Sequence, residues 1–212
     1  MNLLSSLKNL FIATDLRQEP EKLRLGVRAS YSLAATNLKA NHPFPAGEDF
    51  AISLGYTREL LDSIPTRSRE SFVGVANVAV FAELPVGATV LDIGCGAGLD
   101  SLIAAHRVGP SGRVIGLDFS PAMLDLALKS AAENNLPNLS FLCAEAERLP
   151  LADHSVDIVL VNGIFNLNPD RAGVFREIGR VTKPGGLVYA AELVLTGALK
   201  QKKLRRLDDW FS

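Results

Sequence analysis

The run Val90-Leu91-Asp92-Ile93-Gly94-Cys95-Gly96-Ala97-Gly98 constrains this chain more than any other feature. A short apolar run of strand character passes into three glycines at alternate positions, and a helical pattern from Leu99 to Val108 follows at once. Glycine lets the backbone turn sharply and lets a ligand approach where a Cβ would collide. The spacing is G-x-G-x-G, one residue shorter than the dinucleotide fingerprint G-x-G-x-x-G. Asp92 stands just ahead of the glycines. A carboxylate there would repel a pyrophosphate, and it suits a ligand carrying a cationic amine, a sulfonium or both.

Four further apolar runs follow: Val114 to Asp118, Leu139 to Cys143, Val156 to Val161 and Leu187 to Ala191. Helical patterns at about 122–134 and 170–182 separate them, the first opened by Pro121 at a first-turn position. Apolar runs alternating with helices predict an α/β fold, a doubly wound parallel sheet covered on both faces. Upstream the texture is helical. Residues 1 to about 40 read as two helices broken near Glu19-Pro20, and Asn41 to Gly47 as a loop. Thr57 to Ser63 and Ser71 to Leu84 read as two more helices, stopped by Pro65 and Pro85. The expected division is a helical cap over 1–85 and a ligand-binding core over 86–212.

At 212 residues the chain has room for one domain with an appendage. Its 22 Lys and Arg against 23 Asp and Glu give a net charge of −1, so no basic field exists to hold nucleic acid. The partner predicted is a small molecule. No apolar stretch reaches the about 18 residues of a membrane span, and Met1 to Ile12 shows helix periodicity rather than a secretory core. Two cysteines, Cys95 and Cys143, suggest a cytoplasmic protein with both thiols buried and free. The basic run Lys200 to Arg206 reads as a solvated helix face.

Asp118 ends the second apolar run, 20 residues after Gly98, where a carboxylate can accept from ribose hydroxyls. Asp92 or Asp118 alone could equally cap the following helix. Together, at the ends of adjacent strands, they favour a nucleoside ligand. With the glycine loop, they make residues 89 to about 195 resemble the class I S-adenosylmethionine-dependent methyltransferases. That resemblance implies a Rossmann-like sheet in the order 3-2-1-4-5, with S-adenosylmethionine as cofactor and S-adenosylhomocysteine as product. By it, Gly94, Cys95, Gly96 and Gly98 line the methionine moiety beside Asp92, Asp118 holds the ribose, and Phe119 and Met123 flank the adenine. In Cys143-Ala144-Glu145-Ala146-Glu147, the Glu145 carboxylate would accept from the adenine amino group and the Ala146 amide would bond a ring nitrogen. Arg180 to Gly186 matches the family's helix-to-strand turn, with Pro184 stopping the helix. Tyr31 resembles an N-terminal tyrosine that closes over the cofactor, and reads equally well as a helix-face aromatic.

A narrower resemblance covers about 50 to 212. Leu54-Gly55-Tyr56-Thr57, Ile64-Pro65, Ser71 to Asn77 and Asn162 to Asp170 resemble the arsenite methyltransferase branch. That branch uses cysteine thiolates for As(III), yet its positions hold Val75 and Gly163 here, and Leu207 to Ser212 stops just before a third. Cys95 and Cys143 align with none of them, so arsenite is not the expected acceptor. Asn162 and Asn166, beyond the fourth strand, are the candidates to face the methyl group, with His42 a candidate base. His106 and His154 read as structural or surface residues. Methyl transfer from a sulfonium needs mainly proximity and desolvation. The first expectation is a small-molecule methyltransferase. The alternatives are C-methylation of a quinone-like ring and a cofactor-binding protein without turnover; a nicotinamide enzyme is disfavoured by the glycine spacing. Family members continue into strands six and seven, and Leu195 to Ser212 is too short for both. Strand five is therefore expected at an edge, covered by the N-terminal segment, the tail or a second subunit in a homodimer.

Overall fold

The computed structural model describes residues 20–36 and 45–194. His42, the first expected helix, the Lys200 to Arg206 run and the tail where strands six and seven were in question lie outside those residues. The described chain starts with α1 (Pro20–Thr36), followed by four short helices, α2 (Glu48–Ser53), α3 (Arg58–Asp62), α4 (Thr66–Glu70) and α5 (Val78–Phe81). Strand and helix then alternate: β1 (Thr89–Ile93), α6 (Leu99–Val108), β2 (Arg113–Asp118), α7 (Pro121–Glu133) and β3 (Leu139–Cys143). β4 (Val156–Asn162), a single 3-10 turn (Phe165–Leu167), α8 (Arg171–Val181) and β5 (Thr182–Ala191) complete the order.

The five strands form one parallel sheet in the order β3-β2-β1-β4-β5, as the resemblance implied. Alternation along β1 divides the core. Val90 packs with Leu102 and Ile103 of α6 on one face, and Leu91 and Ile93 pack with Val174, Ile178 and Val181 of α8 on the other. Tyr56, Leu61, Ile64, Phe72 and Val78 belong to the Val90 cluster, so the upstream helices share one core with the sheet. Local signals explain several boundaries. Ser120 caps α7 by accepting from the Met123 N–H, and Pro121 takes the first helical turn. Thr57 caps α3 in the same way through the Leu60 N–H.

Three expectations are corrected. The helix expected over Ser71 to Leu84 is instead an irregular segment through 71–77 followed by the single turn of α5. The backbone groups of Val75 and Ala76 bond the Asn162 side chain in place of a helical ladder. The Pro184-Gly185-Gly186 turn lies inside β5 as an irregularity: Val156 pairs with Thr182 while Ile158 pairs with Leu187. Cys143 is exposed, because it ends β3 at the margin of the sheet, whereas Cys95 is buried. Among the described residues β5 pairs only with β4, and Leu187 and Val188 on it are about half exposed (48% and 45%). No helix among the described residues is long and apolar enough to cross a membrane.

Leu91 is fully buried and Leu128, on the outer face of α7, is 55% exposed. Leu91→Ala should cost about 2–5 kcal/mol in urea unfolding, and Leu128→Ala about 0.5 kcal/mol.

Candidate active site

The carboxyl ends of β1, β2 and β4 open into one pocket, roofed by Arg24, Val27 and Tyr31 of α1 and walled by Ser68, Ser71, Phe72 and Val73 of the cap. It holds about 1040 Å³ of empty space, its open mouth included. Its floor is the glycine loop. Gly94 has φ +75°, and a Cβ there would run into the Ile164 side chain.

Three carboxylates are buried in the walls. Asp92 is 2% exposed and accepts from the Ser101 hydroxyl at 2.5 Å. Asp100 is 6% exposed and accepts from the Tyr56 hydroxyl at 2.6 Å, the Asn162 amide at 2.9 Å and the Ala79 N–H at 3.3 Å. Asp118 accepts from the backbone N–H groups of Gly96 (2.9 Å) and Ser120 (2.8 Å). Desolvation, reinforced by the Asp100 carboxylate, pushes Asp92 up to about 8. Burial raises Asp100 as well, against the hydrogen bonds from Tyr56 and Asn162. Asp118 rises only to about 6, because the Ser120 and Gly96 amides oppose its burial. The same burial, with Asp118 and Asp92 nearby, holds the Cys95 thiol well above its usual range, so it is no nucleophile. Buried carboxylates that cannot easily ionise form a site waiting for positive charge.

The sequence-derived candidates separate on this geometry. Asp92, Gly94, Cys95, Gly96, Asp118, Phe119, Met123, Glu145, Ala146, Asn162 and Tyr31 all line the pocket. The Tyr31 phenol is held above its usual range by burial and by Asp118 and Glu192. Gly98 does not line it: at φ +87° it caps α6, where a Cβ would stand 3.2 Å from the Ala127 Cβ and 3.4 Å from the Phe141 ring. Asn166 also lies off the pocket, its amide bonded to the Glu192 carboxylate (3.1 Å) and the Leu193 carbonyl (2.7 Å). Asn162 is present but committed. Its oxygen accepts from Val75 N–H at 2.8 Å and its nitrogen donates to the Ala76 carbonyl and Asp100, so it positions the cap loop. His106 and His154 are exposed, on Asn134 and the Thr182 carbonyl respectively.

Other pocket residues escaped sequence reasoning. Asp100 is one: an acid between Leu99 and the Ser101-Leu102-Ile103 run in the first turn of α6 was its only signal. Helix α1 is another. Arg28 donates to Glu145 at 2.8 Å and lies 5.4 Å from the Phe119 ring centre, and Arg24 pairs with Glu147. These contacts bind α1 to the segment after β3 across more than a hundred residues of sequence, which no local pattern announces.

Residues 85–211 match a family model described as a methyltransferase domain. The chain belongs to the class I S-adenosylmethionine-dependent methyltransferases. It is 40% identical over 143 residues to an arsenite methyltransferase of Halobacterium salinarum, covering 68% of this chain and 36% of that protein. Over 106 residues it is 42% identical to a demethylmenaquinone methyltransferase of Lactococcus lactis, covering 50% of this chain and 42% of that protein. An arsenic (III) S-adenosylmethionine methyltransferase from Chlamydomonas reinhardtii superposes with a TM-score of 0.62 at 35% identity, over 68% of this chain and 51% of that structure. The chain thus spans well under half the length of the two curated relatives. The family's cofactor carries a sulfonium and an ammonium, and the pocket fits it: among the described residues no cation pairs with the buried Asp92 and Asp100, and Asp118 stands at the end of β2.

Asp92 and Asp118 hold their protons more tightly folded than unfolded. They therefore support the fold fully below about pH 4 and withdraw that support as pH climbs toward 6 for Asp118 and 8 for Asp92. Asp92→Asn should raise the ligand-free melting temperature, with a gain larger at pH 8 than at pH 5 by differential scanning fluorimetry.

Proposed function

We propose that this protein transfers a methyl group from S-adenosylmethionine to a small-molecule acceptor. The observation that carries the reading is the pairing of Asp92 with Asp100 beside Asp118 in one pocket at the carboxyl edge of a 3-2-1-4-5 sheet. When bound, the cofactor supplies a methyl group already activated on sulfur. The chain's own residues then bind, orient and exclude water. Asp118 spends one backbone bond on each oxygen and keeps lone pairs for ribose hydroxyls. Phe119 and Met123 offer faces for the adenine, Glu145 an acceptor and Ala146 a backbone N–H; Gly94 and Gly96 admit the methionine chain. A cationic ligand beside Asp92 would favour its charged form, which compensates the cost of burying it. Tyr31 closes the pocket over the ribose side. On this reading 1–85 is a cap that completes the site and 86–212 the binding core.

Arsenite is a poor acceptor for this pocket. Val75 and Gly163, which stand where the arsenite branch has cysteines, are neighbours: a Cβ on Gly163 would lie 3.2 Å from Val75 Cγ1. An aliphatic contact replaces a thiol pair, while Cys95 is walled in by Asp92 and Asp118 and Cys143 faces outward. That apolar contact favours a second, finer reading, C-methylation of a quinone-like ring, which also matches the activity named for the Lactococcus lactis relative.

Calorimetric titration should show binding of S-adenosylmethionine and S-adenosylhomocysteine and none of NAD; NAD binding alone would overturn the proposal. Asp118→Ala should weaken S-adenosylhomocysteine about tenfold or more, the worth of a hydrogen bond to a charged group. Labelled-methyl transfer should appear on a naphthohydroquinone and be absent on arsenite.

A further inference from the structure

Asp92 and Asp100 both line the pocket and both are buried, yet their hydrogen bonds differ in kind. Every group bonded to Asp100 is a donor. Its Oδ1 accepts from the Tyr56 hydroxyl at 2.6 Å and the Ala79 N–H at 3.3 Å, and its Oδ2 from the Asn162 amide at 2.9 Å. That amide is held in this orientation, because its oxygen accepts from the Val75 and Ala76 N–H groups at 2.8 and 3.3 Å. A carboxylate only accepts, whereas a carboxylic acid must also donate. A proton on either oxygen of Asp100 would meet a group already donating to it.

Asp92 is built differently. Its Oδ2 accepts from the Ser101 hydroxyl at 2.5 Å, and its Oδ1 has no partner among the described residues. The sealed, partnerless side-chain atoms there are Arg24 Nε, Arg69 Nε and Ser71 Oγ, so Asp92 Oδ1 is not sealed and opens on the pocket. It can carry a proton without giving up a bond. No neighbour supplies positive charge. β2 and β4 set Gly116 and Leu160 beside Asp92 in register. The charges acting on it are Asp100 from α6 and Asp118 from the end of β2. The Cys95 thiol of the glycine loop and the Tyr56 phenol of the cap also face it, both held neutral by burial. Two carboxylates buried in one pocket without a cation do not both ionise cheaply. Burial and the Asp100 charge accordingly raise Asp92 to about 8.

We propose that at neutral pH the ligand-free pocket holds one proton, on Asp92 rather than Asp100, and that a nucleoside bearing an ammonium displaces it while a neutral nucleoside does not. This rests on the methyltransferase reading and deepens it. One O–H bond breaks: the proton leaves Asp92 Oδ1 for the buffer, the electron pair stays on the carboxylate, and the ligand's positive charge replaces the proton. Asp100 stays ionised throughout and goes on holding Asn162 and the cap loop. The pocket thus selects charge by proton exchange, and its occupancy follows pH.

The probes are S-adenosylhomocysteine, which carries the ammonium, and 5′-methylthioadenosine, which carries no cation. Calorimetric titration in phosphate and in Tris, whose ionisation heats differ, counts the protons exchanged. S-adenosylhomocysteine should release about one proton at pH 7, and its affinity should rise about fivefold between pH 7 and pH 8. 5′-Methylthioadenosine should release none and bind with a flat pH profile. Without any ligand, the carboxylic-acid C=O band in the infrared spectrum at pH 7 should be present in the parent and absent in Asp92→Asn. That variant should also end the proton release. Ser101→Ala removes the one donor to Asp92 and should move the rise in affinity to higher pH. A band that survives Asp92→Asn would put the proton elsewhere and overturn the proposal. So would equal proton release by the two ligands, or a flat profile for S-adenosylhomocysteine in the parent. If the parent binds no S-adenosylhomocysteine, the methyltransferase reading falls, while the infrared band still decides which acid holds the proton.

Discussion

Asp92, Asp100 and Asp118 are buried in the walls of one pocket, and much of the surrounding structure holds them there. Ser101 donates to Asp92, Tyr56 and Asn162 donate to Asp100, and the glycine loop turns its Gly96 amide onto Asp118. The arrangement costs stability, since each group loses hydration and Asp92 and Asp100 repel one another. Natural proteins keep such a cost where a ligand repays it. The Tyr56–Asp100–Asn162 cluster also ties the cap loop to β4 and α6, so the charge site and the cap are one construction.

The second organising contact is the double ion pair of α1. Arg24 and Arg28 meet Glu147 and Glu145 on the segment after β3. Half-exposed pairs such as Arg28–Glu145 contribute little to stability. Their importance is geometric: they lay α1 over the pocket and bring Tyr31 to the Asp118 side and Arg24 to the Asn168 side. The N-terminal helix is thereby part of the site.

Much of the core was legible in the sequence because its signals are local. A strand of five residues, a glycine loop and a helix leave few solutions, and the acid after β2 falls at a fixed register. Pro121 and Thr57 mark helix starts through backbone chemistry acting within four residues. Asn166 misled because spacing after a strand does not specify a side chain's partner, and Glu192 reached it first. The broken helix at 71–77 misled likewise, since Asn162 draws the Val75 and Ala76 backbone away from a helical ladder from 86 or more residues along the chain.

By itself the sequence determined the parallel α/β core, its strand order through the family resemblance, and the identity of the acids at the ends of β1 and β2. Hydrophobic period and glycine spacing act over a few residues, so they survive without tertiary knowledge. The burial of Asp100, the partnering of Asn162, the contact between Val75 and Gly163 and the placement of Arg24 over the pocket came only from the tertiary structure. Each joins residues tens to more than a hundred positions apart, and what a side chain can bind there depends on which distant groups have already taken its donors and excluded its water.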